Sequence, residues 1–227
     1  MTIRKSIMAI AAGVSLVSVS GVAFAWGMPS LGGSSSGSGS SPAQAVAMQT
    51  KIVSEYALGE MSVLKAQSHF ASAYGDKKLA AKINALVMAK SSGATIRKHM
   101  QNELRLSKSA SKVLAADMAH KKIVTAAGRK QFAEGAGFYG LGVFALTKVV
   151  PQFKNFLTAA QHSISSASFT QVVSIKRKLA TGMFLAQNTP GYIGGLVKTT
   201  SQLVGYARKN NIKLPTSATR ALGHFSS

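Results

Sequence analysis

Residues Gly128 to Val150 read GRKQFAEGAGFYGLGVFALTKVV. The stretch carries no charge between Gly135 and Leu146, and it holds five of the chain's 21 glycines, at 128, 135, 137, 140 and 142. Phe132, Ala136, Tyr139, Val143, Leu146 and Val150 fall at i, i+4, i+7, i+11, i+14 and i+18, the spacing of one buried face of an α-helix. Gly128, Gly135 and Gly142 recur every seven residues on a neighbouring face. Seven residues are nearly two helical turns, so the three glycines predict a groove without side chains, open to the close approach of a second backbone. Glycine in a helix interior costs about 1 kcal/mol relative to alanine, and close packing has to offset that. The competing reading is a glycine-rich loop between two helices; the periodicity favours a helix. The stretch is expected to be the central helix of a bundle, with Gly128, Gly135 and Gly142 as helix-packing residues.

Two other readings of the stretch fail. The uncharged run is about a dozen residues, and a membrane span needs roughly 20. Gly135 to Gly140 matches G-x-G-x-x-G letter for letter, but no strand precedes it and no acidic residue follows at the distance a dinucleotide ribose needs.

Outward from this centre the pattern stays helical. Upstream, Gln44 to Tyr74 carries Val46, Val53, Tyr56, Val63, Phe70 and Tyr74 near a seven-residue repeat, interrupted by Glu60 and Gln67. Those interruptions favour packing into a bundle over a self-contained coiled coil. Gly75-Asp76 ends this helix, with Asp76 placed to cap the next. Lys77 to Lys90 puts Leu79, Ile83, Leu86 and Val87 on one face, and Ser91 to Ala94 is a break. Thr95 to Lys122 has a small, polar waist at Ser107 to Ser111, consistent with one helix or with two joined by a kink. Downstream, Pro151 is tolerated only in a first turn, so a further helix is expected to begin there. Ser165 to Ser168 breaks the chain, and Phe169 to Gln187 continues until Asn188-Thr189-Pro190 stops it. Gly191 to Lys209 forms a last long helix, with one short turn at Ala218 to Leu222. No stretch alternates with the two-residue period of a strand.

The N-terminus reads as a secretory signal: Arg4 and Lys5, an apolar run from Ile7 to Val19, and a cleavage pattern at Ala23-Phe24-Ala25. The organisation expected is a signal peptide at 1–25, a flexible Gly/Ser-rich linker at 26–42, an all-α single helical bundle of six or seven helices at 43–210, and a C-terminal tail at 211–227. The protein is expected to be periplasmic or secreted, with no transmembrane span in the mature chain.

Charge is the dominant global property. The chain has 27 Lys+Arg against six carboxylates, a net +21, and +19 once Arg4 and Lys5 leave with the signal. Such a field attracts an anionic envelope component: lipopolysaccharide, anionic lipid or cell-wall polymer. The candidate polyanion-binding residues are Arg97, Lys98, Lys121, Lys122, Arg129, Lys130, Lys176, Arg177 and Lys178. Lysines outnumber arginines 19 to 6 after cleavage, and base readout leans on arginine forks, so no specific nucleic-acid partner is expected. The alternative is a structural or partner-docking helical module whose high pI reflects an acidic exterior, where surface carboxylate pairs would be lost to protonation.

Chemistry of other kinds finds little support. With no cysteine, a disulfide framework, a thiolate metal site and a cysteine nucleophile are all excluded. His69, His99, His120, His162 and His224 make no metal-ligand spacing, the six carboxylates look dispersed, and no G-x-S-x-G elbow occurs. The expectation is a non-enzymatic protein without cofactor or metal. An exported enzyme would need residues from several helices to converge.

The mature start AWG…LGG, the helix closing before Asn188-Thr189-Pro190, and the segments Leu203-Val204-Gly205-Tyr206-Ala207 and Ile212-Lys213-Leu214-Pro215 resemble exported, all-helical proteobacterial proteins of uncharacterised function. The resemblance implies a compartment and no activity.

Overall fold

Ser41 fixes where the first helix starts. Its hydroxyl accepts from the Gln44 N–H, and its own N–H donates to Gln44 Oε1 at 2.8 Å, a reciprocal cap that satisfies two otherwise orphaned donors. Pro42 takes the first helical position, where its missing N–H is harmless. The computed structural model describes residues 41–90, 96–223 and 225. The expected signal peptide, nearly all of the expected linker and the break at 91–94 lie outside them.

Helix α1 runs Pro42–Ala73, α2 Lys77–Lys90 and α3 Ile96–His120. Gly75, at φ +82°, turns the chain after α1 in a conformation that disfavours other residues. Asp76 then caps α2 as expected, its Oδ1 accepting from the Leu79 N–H at 2.9 Å. Helix α3 passes through Ser107 to Ser111 as one helix. After it come α4 at Ala126–Ser165, α5 at Phe169–Asn188, α6 at Pro190–Lys209 and α7 at Thr216–Gly223. The described residues contain these seven helices and no strand, and no helix among them is long and apolar enough to cross a membrane.

One expectation is corrected outright. Pro151 does not begin a helix; it sits inside α4, which continues for 40 residues. Proline removes one helical hydrogen bond and crowds the preceding turn, a penalty of about 3 kcal/mol. Tertiary packing overrides it here. Pro151 lies on the exposed side, where the unpaired Thr147 carbonyl can meet water, while Leu146, Val149, Phe153 and Phe156 on either side of it are buried in one core.

Helices α1 and α4 run antiparallel as a central pair, and the glycine heptad lies on their contact. A methyl on Gly128 would stand 3.0 Å from the Ala73 carbonyl oxygen. One on Gly135 would stand 3.1 Å from the Ala66 carbonyl oxygen, and one on Gly142 would stand 2.9 Å from that of Gly59. Gly59, Ala66 and Ala73 are themselves spaced by seven, so small residues step in opposite directions along two helices and meet at each step. Helix α4 is not the sole centre. Helices α2 and α3 pack on α1, α6 and α7 pack on α4, α5 packs on both, and α3 also meets α6. A small satellite core of Leu64, Ile83 and Ala110 joins the first three helices.

Helices α5 and α6 meet at Thr189, which ends one and begins the next. Its buried side chain bonds the Leu185 carbonyl at 2.7 Å, so the proline stop yields a joint of one residue. Helix α7 falls in the segment set apart as a tail, yet its Ala218 and Leu222 are fully buried, and Ala221 and Leu222 cover Gly140 of α4.

Candidate functional site

Charge is segregated by depth. Every described lysine and arginine is exposed, whereas the six carboxylates are buried or half-buried. Glu60, Glu103 and Asp117 are buried; Glu55, Asp76 and Glu134 are half-buried. No carboxylate occurs after Glu134, so α5, α6 and α7 carry only positive formal charge.

The expected polyanion-binding residues are split between regions. Lys121 and Lys122 follow α3, and Arg129 and Lys130 lie in the first turns of α4, so these four share one end of the bundle. Lys121 and Lys122 border an open groove of about 550 Å³ together with Tyr74, Gly75, Gly128 and Gln131. Charge at this end is partly answered. Asp117 sits 2.8 Å from Lys121 and holds its ammonium above the ordinary lysine value, and Glu134 lies 4.0 Å from Lys130. Lys176, Arg177 and Lys178 belong to the opposite end, where the Lys178 carbonyl accepts from Gln49 of α1 at 2.8 Å. They make no ion pair among the described residues. Arg97 and Lys98 lie in the first turn of α3, at the other end of that helix from Lys121 and Lys122. Gly128, Gly135 and Gly142 lie at the α1 contact described above.

A second constellation escaped the sequence reading. Glu60 and Gln67 of α1, Glu103 and Ser107 of α3 and Tyr192 of α6 converge inside the bundle, and all five are buried. Tyr192 donates to Glu60 Oε1 at 3.1 Å and shares a short hydrogen bond with Ser107. Gln67 Nε2 donates to the Ser107 carbonyl at 3.0 Å and to Ser111 Oγ at 2.9 Å. The Ser107 hydroxyl also lies 3.2 Å from Gln67 Oε1, so its one proton is shared between Gln67 and Tyr192 as acceptors while Tyr192 donates to the carboxylate. On the α1 side, burial and then the charges of Glu60 and Glu103 push the Tyr56 hydroxyl well above the usual phenol range. Burial followed by Glu60 does the same to Tyr192. The carboxylates are therefore not all dispersed: Glu60 and Glu103, 43 positions apart, act on one tyrosine.

The signal for this cluster was present but ambiguous. Glu60 and Gln67 stood out as polar breaks in an apolar stripe, and Ser107 to Ser111 as a waist in α3. They are two sides of one contact, which spacing within a single helix cannot reveal. Chemically, the cluster pins three helices in one register, since each polar group removed would strand another in the interior. His99 extends it, lying 3.2 Å from Glu103 one turn along α3. Among the described residues no group of three histidines or carboxylates is placed to hold a metal ion. His69 instead bonds Gln131 at 2.8 Å and stacks on Phe138.

Comparison with family models, with characterised proteins and with solved structures gives no match.

Proposed function

We propose that this is an exported, non-enzymatic helical protein that binds an anionic component of the cell envelope through its basic surface. The observation that carries the reading is the segregation of charge: all described cations are exposed, while three of the six carboxylates are buried and three half-buried. A polyanion approaching such a surface meets attraction with little local repulsion. Binding rather than catalysis is favoured because the polar cluster of Glu60, Glu103 and Tyr192 is closed to solvent, Glu60 and Glu103 being 0% exposed. The signal-like N-terminus and the resemblance to exported helical proteins support the compartment. The test is co-sedimentation with lipopolysaccharide, with anionic vesicles and with cell-wall polymer across a salt series. Binding to at least one of them, weakening steeply with salt, is expected. Salt-indifferent binding, or none to any of the three, overturns the reading.

A second reading draws on the same carboxylates. Their withdrawal from the surface leaves few exposed pairs to be lost in acid, as suits a partner-docking module of an acidic exterior. Light scattering at high salt separates the two, because apolar docking survives salt and electrostatic binding does not.

A further inference from the structure

We infer that the first half of α5 is a docking tip for an anionic lipid bilayer. The inference rests on the reading above and narrows it to one surface and one class of partner. Phe169 is 94% exposed and Val173 63% exposed. They lie one turn apart on the same stripe of the helix, and Lys176 and Arg177 continue that stripe at i+7 and i+8. Thr170, Gln171 and Ser174 are exposed as well, and the first fully buried side chain of α5 is Leu179. Val172 and Ile175 on the other side are half-buried and Ile175 packs on the core, so the stripe of Phe169 and Val173 is the outward face of an anchored helix.

The spacing suits an interface. With a rise of about 1.5 Å per residue, the cationic heads are anchored roughly 10–12 Å behind Phe169. Interfacial helices bury their apolar side about 5–10 Å below the headgroups, so Phe169 and Val173 would enter the acyl boundary while Lys176 and Arg177 stay level with lipid phosphates. Lysine and arginine stems can extend toward those phosphates while their own backbone remains outside.

Charge and apolar area together select the occupant. A hydrated polymer offers Lys176 and Arg177 a partner and gives Phe169 nothing. A second copy of this chain would offer Phe169 a partner but set Lys176, Arg177 and Lys178 against their equivalents, with no carboxylate on α5 to relieve them. An anionic bilayer satisfies both kinds of side chain.

The test uses the full chain and vesicles of phosphatidylglycerol mixed with phosphatidylcholine, against phosphatidylcholine alone. Phe169→Ser/Val173→Ser is expected to weaken binding to the anionic vesicles about tenfold while leaving the salt slope unchanged. Lys176→Gln/Arg177→Gln is expected to weaken binding and flatten the slope. Leu58→Ser/Leu141→Ser, which strips exposed apolar area from the α1 and α4 surface, should bind as the parent does. A tryptophan at the tip, Phe169→Trp in a Trp26→Phe background, should shift its emission to the blue on anionic vesicles and be quenched by brominated lipid. Circular dichroism checks that each variant is folded, which the exposure of these side chains favours. Salt-sensitive vesicle binding that ignores the tip variants overturns the inference and leaves the broader reading standing. So does binding to lipopolysaccharide or cell-wall polymer without binding to vesicles. Loss of a dimer in the Phe169→Ser/Val173→Ser variant would give the tip to a second copy and overturn it too.

Discussion

Gly59 of α1 and Gly142 of α4 meet backbone to backbone, flanked by the side chains of Val63 and Leu146. A methyl on Gly142 would stand 2.8 Å from the backbone nitrogen of Val63 and 2.9 Å from the Gly59 carbonyl oxygen, and one on Gly59 would stand 3.3 Å from the Gly142 carbonyl oxygen. At Gly142 two of these obstacles are backbone, which cannot rotate aside as a side-chain end can, whereas a methyl on Gly59 would first meet the Leu146 side chain at 2.8 Å. Two long helices are thus held close enough for main chain to touch main chain, and the propensity lost at each glycine is offset by contact area.

Gly142→Ala should therefore destabilise by about 1–3 kcal/mol, and Gly135→Leu by more, because α1 must move away along its length. Gly137→Ala should do the opposite. Nothing lies within 4 Å of a methyl there, so helix propensity alone operates and should stabilise by about 0.5–1 kcal/mol. Thermal melts of the three variants decide the matter; equal shifts for Gly142→Ala and Gly137→Ala would dissolve the distinction.

Pro151→Ala should stabilise by about 1–3 kcal/mol, since it restores an N–H to the Thr147 carbonyl in a helix that is already continuous. Chemical denaturation measures it. A loss of stability would mean that the packing of α4 depends on a bend at this position.

Tyr192→Phe removes the hydroxyl that joins Glu60 to Ser107 and should cost about 1–3 kcal/mol, the penalty of stranding buried polar groups. A double-mutant cycle with Ser107→Ala should show coupling of at least about 0.5 kcal/mol, because both substitutions break one network. Additive effects would mean that the two hydroxyls act separately.

Stability should fall in alkali. Tyr56, Tyr74, Tyr139 and Tyr192 all hold their protons above the usual phenol range, with burial the largest cause at each. In the unfolded chain they release them near pH 10. Above that pH the folded state binds more protons than the unfolded one, so the slope of stability against pH is negative, up to about 1.4 kcal/mol per unit for each tyrosine. Urea midpoints between about pH 9 and about pH 11 should drop, and most tyrosinate absorbance should appear with unfolding rather than ahead of it. A flat midpoint across that window would contradict the burial of these hydroxyls.

What could be read in the sequence were features confined to one helix. The heptad of Gly128, Gly135 and Gly142 and the bounds of α2 are such features, and so is the cap at Asp76. Features needing two helices were not legible. Gly59, Ala66 and Ala73 have the same seven-residue spacing as the glycines they meet, but Val63 and Phe70 beside them drew the stripe elsewhere. Glu60 and Ser107 each looked like a local defect until their helices were brought together. Pro151 misled because local propensity is a weak prior once apolar residues on both sides share a core.

The absence of carboxylates after Glu134 has one more consequence. Lysine and arginine stay protonated throughout the acid range, so α5 and α6 hold a constant charge from neutrality downward. A ligand bound there meets no carboxylate or histidine on either helix. The pH profile of that binding would then trace the ligand's own ionisation, and the protein would serve as a fixed-charge electrode against which its partner is read.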